Sequence, residues 1–440
     1  MTLGKDIRMT DFIIPAEAPD LVKLKAGKLD RFARLTVLSV MKKLKFGRIR
    51  IIEDPDQYTF GNEKGSELQA SIRIHHPRFY RRILFSGSIG AAEAYMDGLW
   101  SADDLTTVMC IMALNQSVFA EMETGLARLT SPIYRLYHWA RKNTQMGSRK
   151  NILAHYDLGN AFYKLFLDPT MTYSCGIFES ELSTMEEASV AKYDRICKKL
   201  QLTPGDRVVE IGTGWGGFAL HAVQHYDVHV TTTTISDEQH RFAAERFKKA
   251  GIQDRITLLK EDYRNLKGQF DKLVSIEMIE AVGHQYFNTF FRTCSQLLHD
   301  RGMMLLQAIT IRDQEFPRYI HSVDFIKRYI FPGGCVTSVA AMLASIARVT
   351  DLRIFHLEDI TPHYARTLRE WRKRFFDNIQ KVRALNFPET FIRMWEYYLC
   401  YCEGGFTERY IGNVQMLLTK PLCRRDALLP ESGEYKTVGK

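Results

Sequence analysis

The second half of the sequence predicts an α/β fold, an open parallel sheet covered by helices, and a smaller α+β unit precedes it. Three observations carry this. From Thr203-Pro204-Gly205-Asp206 onward, short β-branched runs alternate with helical stretches, the mark of a parallel sheet with helices on both faces. The run Val208-Val209-Glu210-Ile211-Gly212-Thr213-Gly214-Trp215-Gly216-Gly217 reads as a buried strand breaking into a glycine-rich turn and then a helix. A chain of 440 residues also exceeds one ordinary core, so two domains are its natural division.

The N-terminal unit is basic. Residues 1–150 carry 23 Lys/Arg against 16 Asp/Glu, whereas the remainder holds 37 against 35. Within 23–50, ten basic residues meet one acid, Asp30, and Leu29, Phe32, Ala33, Leu35, Leu38, Met41 and Leu44 recur at spacings of helix faces. Such a basic amphipathic segment suits an anionic membrane surface, where each Lys or Arg adds about 1 kcal/mol. It equally suits a helix packed on its own domain with a solvated basic side. Ile49, Ile51, Tyr58 and Phe60, then the alternation Leu68, Ala70, Ile72, Ile74, predict short strands. A helical stretch over 89–114 follows, with Ser101 as its cap before Ala102-Asp103-Asp104. Polar 145–151 reads as a linker, which divides the chain into an N-terminal domain, 1–145, and a second domain, 151–425.

In the glycine run, Gly212 and Gly214 let the backbone turn tightly and approach a ligand with no Cβ in the way. The helix behind them offers its N–H groups to an electronegative partner. The spacing Gly212, Gly214, Gly217 would suit NAD, but an NAD site wants an acid ending the next strand to hold the ribose. That strand, 227–234, ends in Thr234-Ile235-Ser236, with Gln239 one turn on. A third strand, 255–259, closes with Glu261-Asp262, where Asp262 is placed to accept from an adenine amino group; a fourth covers 272–276. The pattern favours S-adenosylmethionine over NAD. Strands at 303–311 and 412–418 complete the sheet. Helices at 316–330, 336–348, 361–384 and 386–403 exceed what an open sheet needs as cover, and surplus helices there commonly build a lid or substrate pocket.

No apolar run approaches the ~20 residues that span a bilayer, and residues 1–6 lack the apolar core of a secretory signal. Eight cysteines, at 110, 175, 197, 294, 335, 400, 402 and 423, follow no framework spacing. Together these predict a reducing cytoplasm and free thiols. Cys400 and Cys402 have no neighbouring His or Cys pair to complete a tetrahedral set, so no metal is assigned. The basic segment carries no nucleic-acid-binding signature.

These residues lead to a resemblance. His155-Tyr156-Asp157-Leu158-Gly159-Asn160, Leu167-Asp168-Pro169, Tyr173-Ser174-Cys175, the glycine run, Thr234-Ile235-Ser236-Asp237-Glu238-Gln239, Glu280-Ala281-Val282-Gly283, Tyr329-Ile330-Phe331-Pro332-Gly333-Gly334 and Gly404-Gly405-Phe406 lie in order from about 150 to 420. In them the chain resembles the cyclopropane-fatty-acyl-phospholipid synthases and the related mycolic acid cyclopropane synthases. The resemblance implies a Rossmann-like class I S-adenosylmethionine-dependent methyltransferase with a helical substrate lid. It implies methylene transfer to cis double bonds of phospholipid acyl chains, at the inner face of the cytoplasmic membrane, and admits a homodimer. Less sharply, 79–100 looks like the accessory domain of longer members.

The implied chemistry sets demands on the site. An isolated alkene is a poor nucleophile, so the donor must be electrophilic, as a sulfonium is. Methyl transfer leaves a carbocation, which a dry aromatic pocket stabilises without attacking it. A base must then take a proton from the new methyl group, a task the family assigns to bicarbonate. By resemblance its cradle would be Cys175, Glu280, the Ile309 N–H and Tyr364, with Glu280 accepting the ion's proton. Gln307 stands where familiar members carry His, and Ala281 replaces another His; Gln307 donates but does not titrate. Cofactor contacts would be Tyr173, Ser174, Gly212, Gly214, Thr234, Gln239 and Asp262, and Tyr156 would face the acyl chain. Cys402 matches a family cysteine once proposed as nucleophile, but a free Cys is usually a small buried hydrophobe. Gln307 and Ala281 keep a second ending open: a methyl- or methylene-branched chain, or a furan precursor.

Overall fold

Among residues 27–61, 67–119, 158–426 and 428, which the computed structural model describes, two sheets form. The N-terminal unit runs α1 (Lys28–Met41), β1 (Arg48–Glu53), β2 (Asp56–Gly61), β3 (Gln69–Ile74), α2 (Arg78–Met96), β4 (Trp100–Ala102) and α3 (Leu105–Leu114). Its sheet has the order β2-β1-β3-β4, with β1 and β3 parallel and the other pairs antiparallel. The predicted alternation holds: Ile49, Ile51, Ala70 and Ile72 are buried, as are Ala33, Val37, Leu38 and Met41 of α1. The expected helical stretch over 89–114 is two helices with a strand between. Gly98, at φ 70, turns the chain after α2, and Trp100–Ala102 pairs with β3. Asp104 rather than Ser101 caps α3, accepting from the Thr107 N–H at 3.0 Å, while Ser101 meets His75 at 2.8 Å.

The second unit runs α4 (Gly159–Tyr163), α5 (Met185–Leu200), β5 (Arg207–Ile211), α6 (Gly217–Tyr226), β6 (His229–Thr233), α7 (Asp237–Lys249), β7 (Ile256–Leu259), β8 (Phe270–Ile276), α8 (Phe287–Leu297) and β9 (Leu298–Ile311). It continues through α9 (Phe316–Tyr319), α10 (Val339–Val349), β10 (Arg353–Asp359), α11 (Thr361–Asp377), α12 (Ile379–Ala384), α13 (Glu389–Thr407) and β11 (Ile411–Thr419). The sheet order is β10-β11-β9-β8-β5-β6-β7. Strands β5 to β9 pair in parallel; β11 runs antiparallel to β9, and β10 to β11. Strand β10 had no clear sequence signal, because an edge strand with little burial carries no continuous apolar run. Two expected helices are broken. The stretch 316–330 is α9 followed by a π-helical turn, Ile326–Ile330, and 361–384 divides at Asn378.

Helix α13 joins the two units. It packs on α11 and also on α2 and α3, and one apolar cluster extends from Val37, Ile72 and Phe79 to Trp371, Trp395 and Phe406. Gly404 permits the approach to α3: a Cβ there would lie 2.7 Å from Met109 Cβ and 2.9 Å from the Cys110 nitrogen. Tyr95 donates to Glu396 at 2.8 Å, and Tyr329 to Glu93 at 2.6 Å, across the same junction. The expected linker at 145–151 lies outside the described residues.

Gly404→Val should therefore wedge α3 away from α13 and destabilise the protein by about 1–3 kcal/mol, the usual cost of overpacking. Urea unfolding checks this. A midpoint equal to that of the wild type would show that the two helices do not meet so closely in solution.

Candidate active site

Strand β5 delivers the chain into the glycine turn. Gly212, Gly214 and Gly216 have φ of 104, 52 and 81, a left-handed region that favours glycine. A Cβ at Gly214 would meet nothing within 4 Å, because that position borders a cavity of about 530 Å³. All seven residues expected to contact the cofactor line it: Tyr173, Ser174, Gly212, Gly214, Thr234, Gln239 and Asp262. Thr234 Oγ1 donates to Gln239 Oε1 at 2.9 Å, and Ser236 caps α7 by accepting from the Gln239 N–H. Ser174 Oγ accepts from Lys192 Nζ at 2.6 Å; burial pushes that ammonium down to about 8. Asp262 is not a bare acceptor as expected. Arg264 donates to its two carboxylate oxygens at 2.7 Å each, so an adenine amino group would share them. The open glycine cradle and polar wall fit S-adenosylmethionine.

The centre of the site is a residue the sequence reading passed over. Glu277 follows β8 with φ 49, left-handed for a non-glycine residue. Its Oε1 accepts from the Cys175 N–H at 3.1 Å, Gln307 Nε2 at 2.8 Å and Asn413 Nδ2 at 2.6 Å; Oε2 accepts from the Tyr364 hydroxyl at 2.7 Å. Four donors facing one group suit an acceptor-only carboxylate. The amide of Gln307 is oriented from behind. Lys199 can only donate, so Gln415 Oε1 accepts from it at 2.7 Å. Gln415 Nε2 then donates to Gln307 Oε1 at 3.0 Å, which turns the Gln307 NH2 towards Glu277. Glu277 and Asn413 did leave a trace in the sequence. An acid at the C-terminal end of a buried strand stands where open α/β sheets hold their ligands, and Asn413 opens the facing strand.

Glu280 also borders the cavity but plays a different part. Its Oε1 accepts from the Ile309 N–H at 2.5 Å, while Oε2 is buried with no partner. Burial, reinforced by the Glu277 charge, pushes its carboxyl up to about 8, which favours its neutral form. Cys175 contributes its N–H, not its thiol, which donates to the Gly176 carbonyl at 3.2 Å. Burial raises the Cys402 thiol, which suits a packed side chain rather than a nucleophile. Tyr364 stacks on Phe406 at 4.2 Å, and Tyr173, Phe331 and Tyr398 add aromatic wall. Tyr156 and His155 lie outside the described residues. Bicarbonate does not fit this arrangement. Glu277 takes the Cys175, Gln307 and Tyr364 donors and Glu280 takes Ile309, so an ion would meet a carboxylate where its cradle was expected.

Residues 143–416 match the family described as mycolic acid cyclopropane synthetase. The tuberculostearic acid methyltransferase of Mycobacterium tuberculosis is 37% identical over 358 residues, 80% of this chain and 83% of that protein. The cyclopropane-fatty-acyl-phospholipid synthase of Escherichia coli is 37% identical over 354 residues, 80% of this chain and 88% of that one. The crystal structure of a mycolic acid cyclopropane synthase complexed with SAH and CTAB is 32% identical. It superposes with a TM-score of 0.58 over 62% of this chain and 98% of that one.

The neutral Glu280 gives a pH-dependent stability. The folded state keeps a proton that the unfolded chain releases above its ordinary 4.5, so stability falls as pH rises from there to about 8. Glu280→Gln removes this dependence. Its melting temperature relative to wild type should rise between about pH 5 and about pH 9; a constant difference would show that Glu280 is ionised throughout.

Proposed function

Because the chain belongs to the mycolic acid cyclopropane synthetase family, an S-adenosylmethionine-dependent methyltransferase family, we propose that it adds one carbon to the cis double bond of unsaturated phospholipid acyl chains, forming a cyclopropane. The observation that carries this reading is the shared cavity. At one end are the glycine turn and Glu277. Elsewhere its wall is Val37, Met41, Ile51, Ile72, Phe79 and Met109, all from the N-terminal unit. Apolar walls of this kind suit an acyl chain and exclude water from a cation. The ring faces of Tyr173, Phe331, Tyr364, Tyr398 and Phe406 suit the cation itself. On this reading the N-terminal unit is an accessory that houses part of the chain.

The second reading keeps the same first step and ends, by loss of a proton, in a methylene-branched chain, which becomes a methyl branch only where a separate reductant supplies hydride. The equal identity to the tuberculostearic acid methyltransferase favours keeping it. Purified enzyme, S-adenosylmethionine and vesicles of unsaturated phospholipid separate the two. A fatty acid heavier by one CH2 that resists mild hydrogenation is the ring; one that takes up hydrogen is the methylene branch. No added carbon in any lipid would defeat both.

The first helix supports a peripheral membrane position. Leu29, Phe32 and Leu35 of α1 are 44%, 54% and 65% exposed, and Phe46 is 52% exposed, although Ala33, Val37 and Met41 bury the opposite face. Exposed Lys28, Arg31, Lys42, Lys43 and Lys45 surround them. Apolar side chains among cations fit insertion at an anionic leaflet, and this supports the reading that the enzyme works at the inner face of the cytoplasmic membrane. No helix among the described residues is long and apolar enough to cross a membrane. Binding to anionic vesicles should weaken as salt shortens the Debye length from ~10 Å at 0.1 M to ~3 Å at 1 M. Changing Lys42, Lys43 and Lys45 to Glu should weaken it at low salt. Flotation that recovers the protein equally with neutral and anionic vesicles would defeat the position.

A further inference from the structure

We propose that Glu277 is the catalytic base of this enzyme, a carboxylate supplied by the chain in place of a bound bicarbonate ion. The inference rests on the acyl-modifying reading above and deepens it. Glu277 borders the cavity that holds the glycine turn, and it meets donors from four separate segments: Cys175, Gln307 on β9, Asn413 on β11 and Tyr364 on α11. Two of these, Cys175 and Tyr364, are residues expected at the ion's seat, and Gln307 stands at the position of a family His. A planar carboxylate has the shape and acceptor pattern that bicarbonate would offer them, so the seat is filled by the protein itself.

The two oxygens are not equivalent. Among the described residues Oε1 takes three donors, whereas Oε2 takes one, the Tyr364 hydroxyl, and keeps lone-pair capacity for a proton. Glu280, with one oxygen spent on the Ile309 N–H, remains neutral and does not compete as a base. After methyl transfer, the new methyl group lies beside a carbocation, and its C–H bonds are strongly acidic. The electron pair of one C–H bond closes the third carbon–carbon bond of the ring, and its proton passes to Glu277 Oε2. The proton returns to solvent after product and S-adenosylhomocysteine leave; no oxidant or reductant is needed. A side chain beside a sulfonium risks being methylated, but four hydrogen bonds spread the Glu277 charge and blunt it as a nucleophile. A weak base still suffices against so acidic a proton. Its negative charge also stabilises the cation before the proton moves.

The strained backbone supplies a clean variant. Glycine adopts φ 49 readily, so Glu277→Gly removes the carboxylate without disturbing the turn and frees its donors for a small anion. The test uses full-length enzyme, S-adenosylmethionine and vesicles of dioleoyl phosphatidylglycerol, in carbon-dioxide-free buffer and in bicarbonate. Wild-type turnover should be the same in both. Glu277→Gln should lose about 10²–10⁴-fold, the usual contribution of a general base, with S-adenosylmethionine affinity by calorimetry unchanged. Glu277→Gly should be as slow without bicarbonate and recover when it is added, a rescue that a purely structural role does not produce. Wild-type activity that collapses without bicarbonate would overturn the proposal, as would a folded Glu277→Gln enzyme at full speed. The comparison starts from a wild-type enzyme already seen to add carbon to lipid, so either result counts against Glu277 and not against the functional reading.

Discussion

The site is organised around one partly buried carboxylate. Glu277 accepts hydrogen bonds from the turn before α5, from β9, from β11 and from α11, and so ties the sheet to the lid at a single carboxylate. Each donor would cost about 1–3 kcal/mol if left buried and unmade, so the four segments and the acid constrain one another. Behind them, Lys199 fixes the polarity of two glutamines in series, Gln415 and Gln307. A residue that can only donate thereby sets the direction of an amide two side chains away. The left-handed backbone at Glu277 persists because these partners over-determine it.

The rest of the active site follows from what that group must be kept from. Water would quench a cation and would also solvate the carboxylate. The lid helices and the N-terminal unit line the cavity largely with aromatic and aliphatic side chains, among them Phe79, Met109, Tyr364 and Phe406. Gly404 has a structural purpose here: it lets α3 lie against α13, so that Met109 reaches the cavity wall. The segment Gly404-Gly405-Phe406 thus serves both the junction and the stacking of Phe406 on Tyr364. The surface of α1 is the outward counterpart, since the same helix buries Val37 and Met41 towards the cavity and exposes Phe32 and Leu35 outward.

Much of this was legible locally. The glycine turn, Thr234 with Gln239, and the alternation from Leu68 to Ile74 each express a rule that operates over a few neighbouring residues. Errors arose where long-range pairing overrode a local signal. Trp100–Ala102 became a strand because β3 lay open to it, which moved the cap from Ser101 to Asp104. Strand β10 is an edge with mixed polarity, so nothing in its own residues distinguished it from a loop. Asp262 looked like a free acceptor because the sequence does not reveal that Arg264 folds back on it.

By itself, then, the sequence determined the α/β class, the family, the cofactor wall and the basic amphipathic start, because periodicity, turn chemistry and motif spacing are properties of short stretches. Only the tertiary structure decided which carboxylate occupies the centre. The donors to Glu277 lie 102, 30, 136 and 87 residues away along the chain. Its place at the end of a strand is a local signal, but that signal does not choose it over Glu280, three positions on. Folding separates them: one acid receives four donors, while the other is buried with a single N–H and keeps its proton. Three positions apart, the two carboxyl groups meet different surroundings, four donors at Glu277 and a single N–H at Glu280.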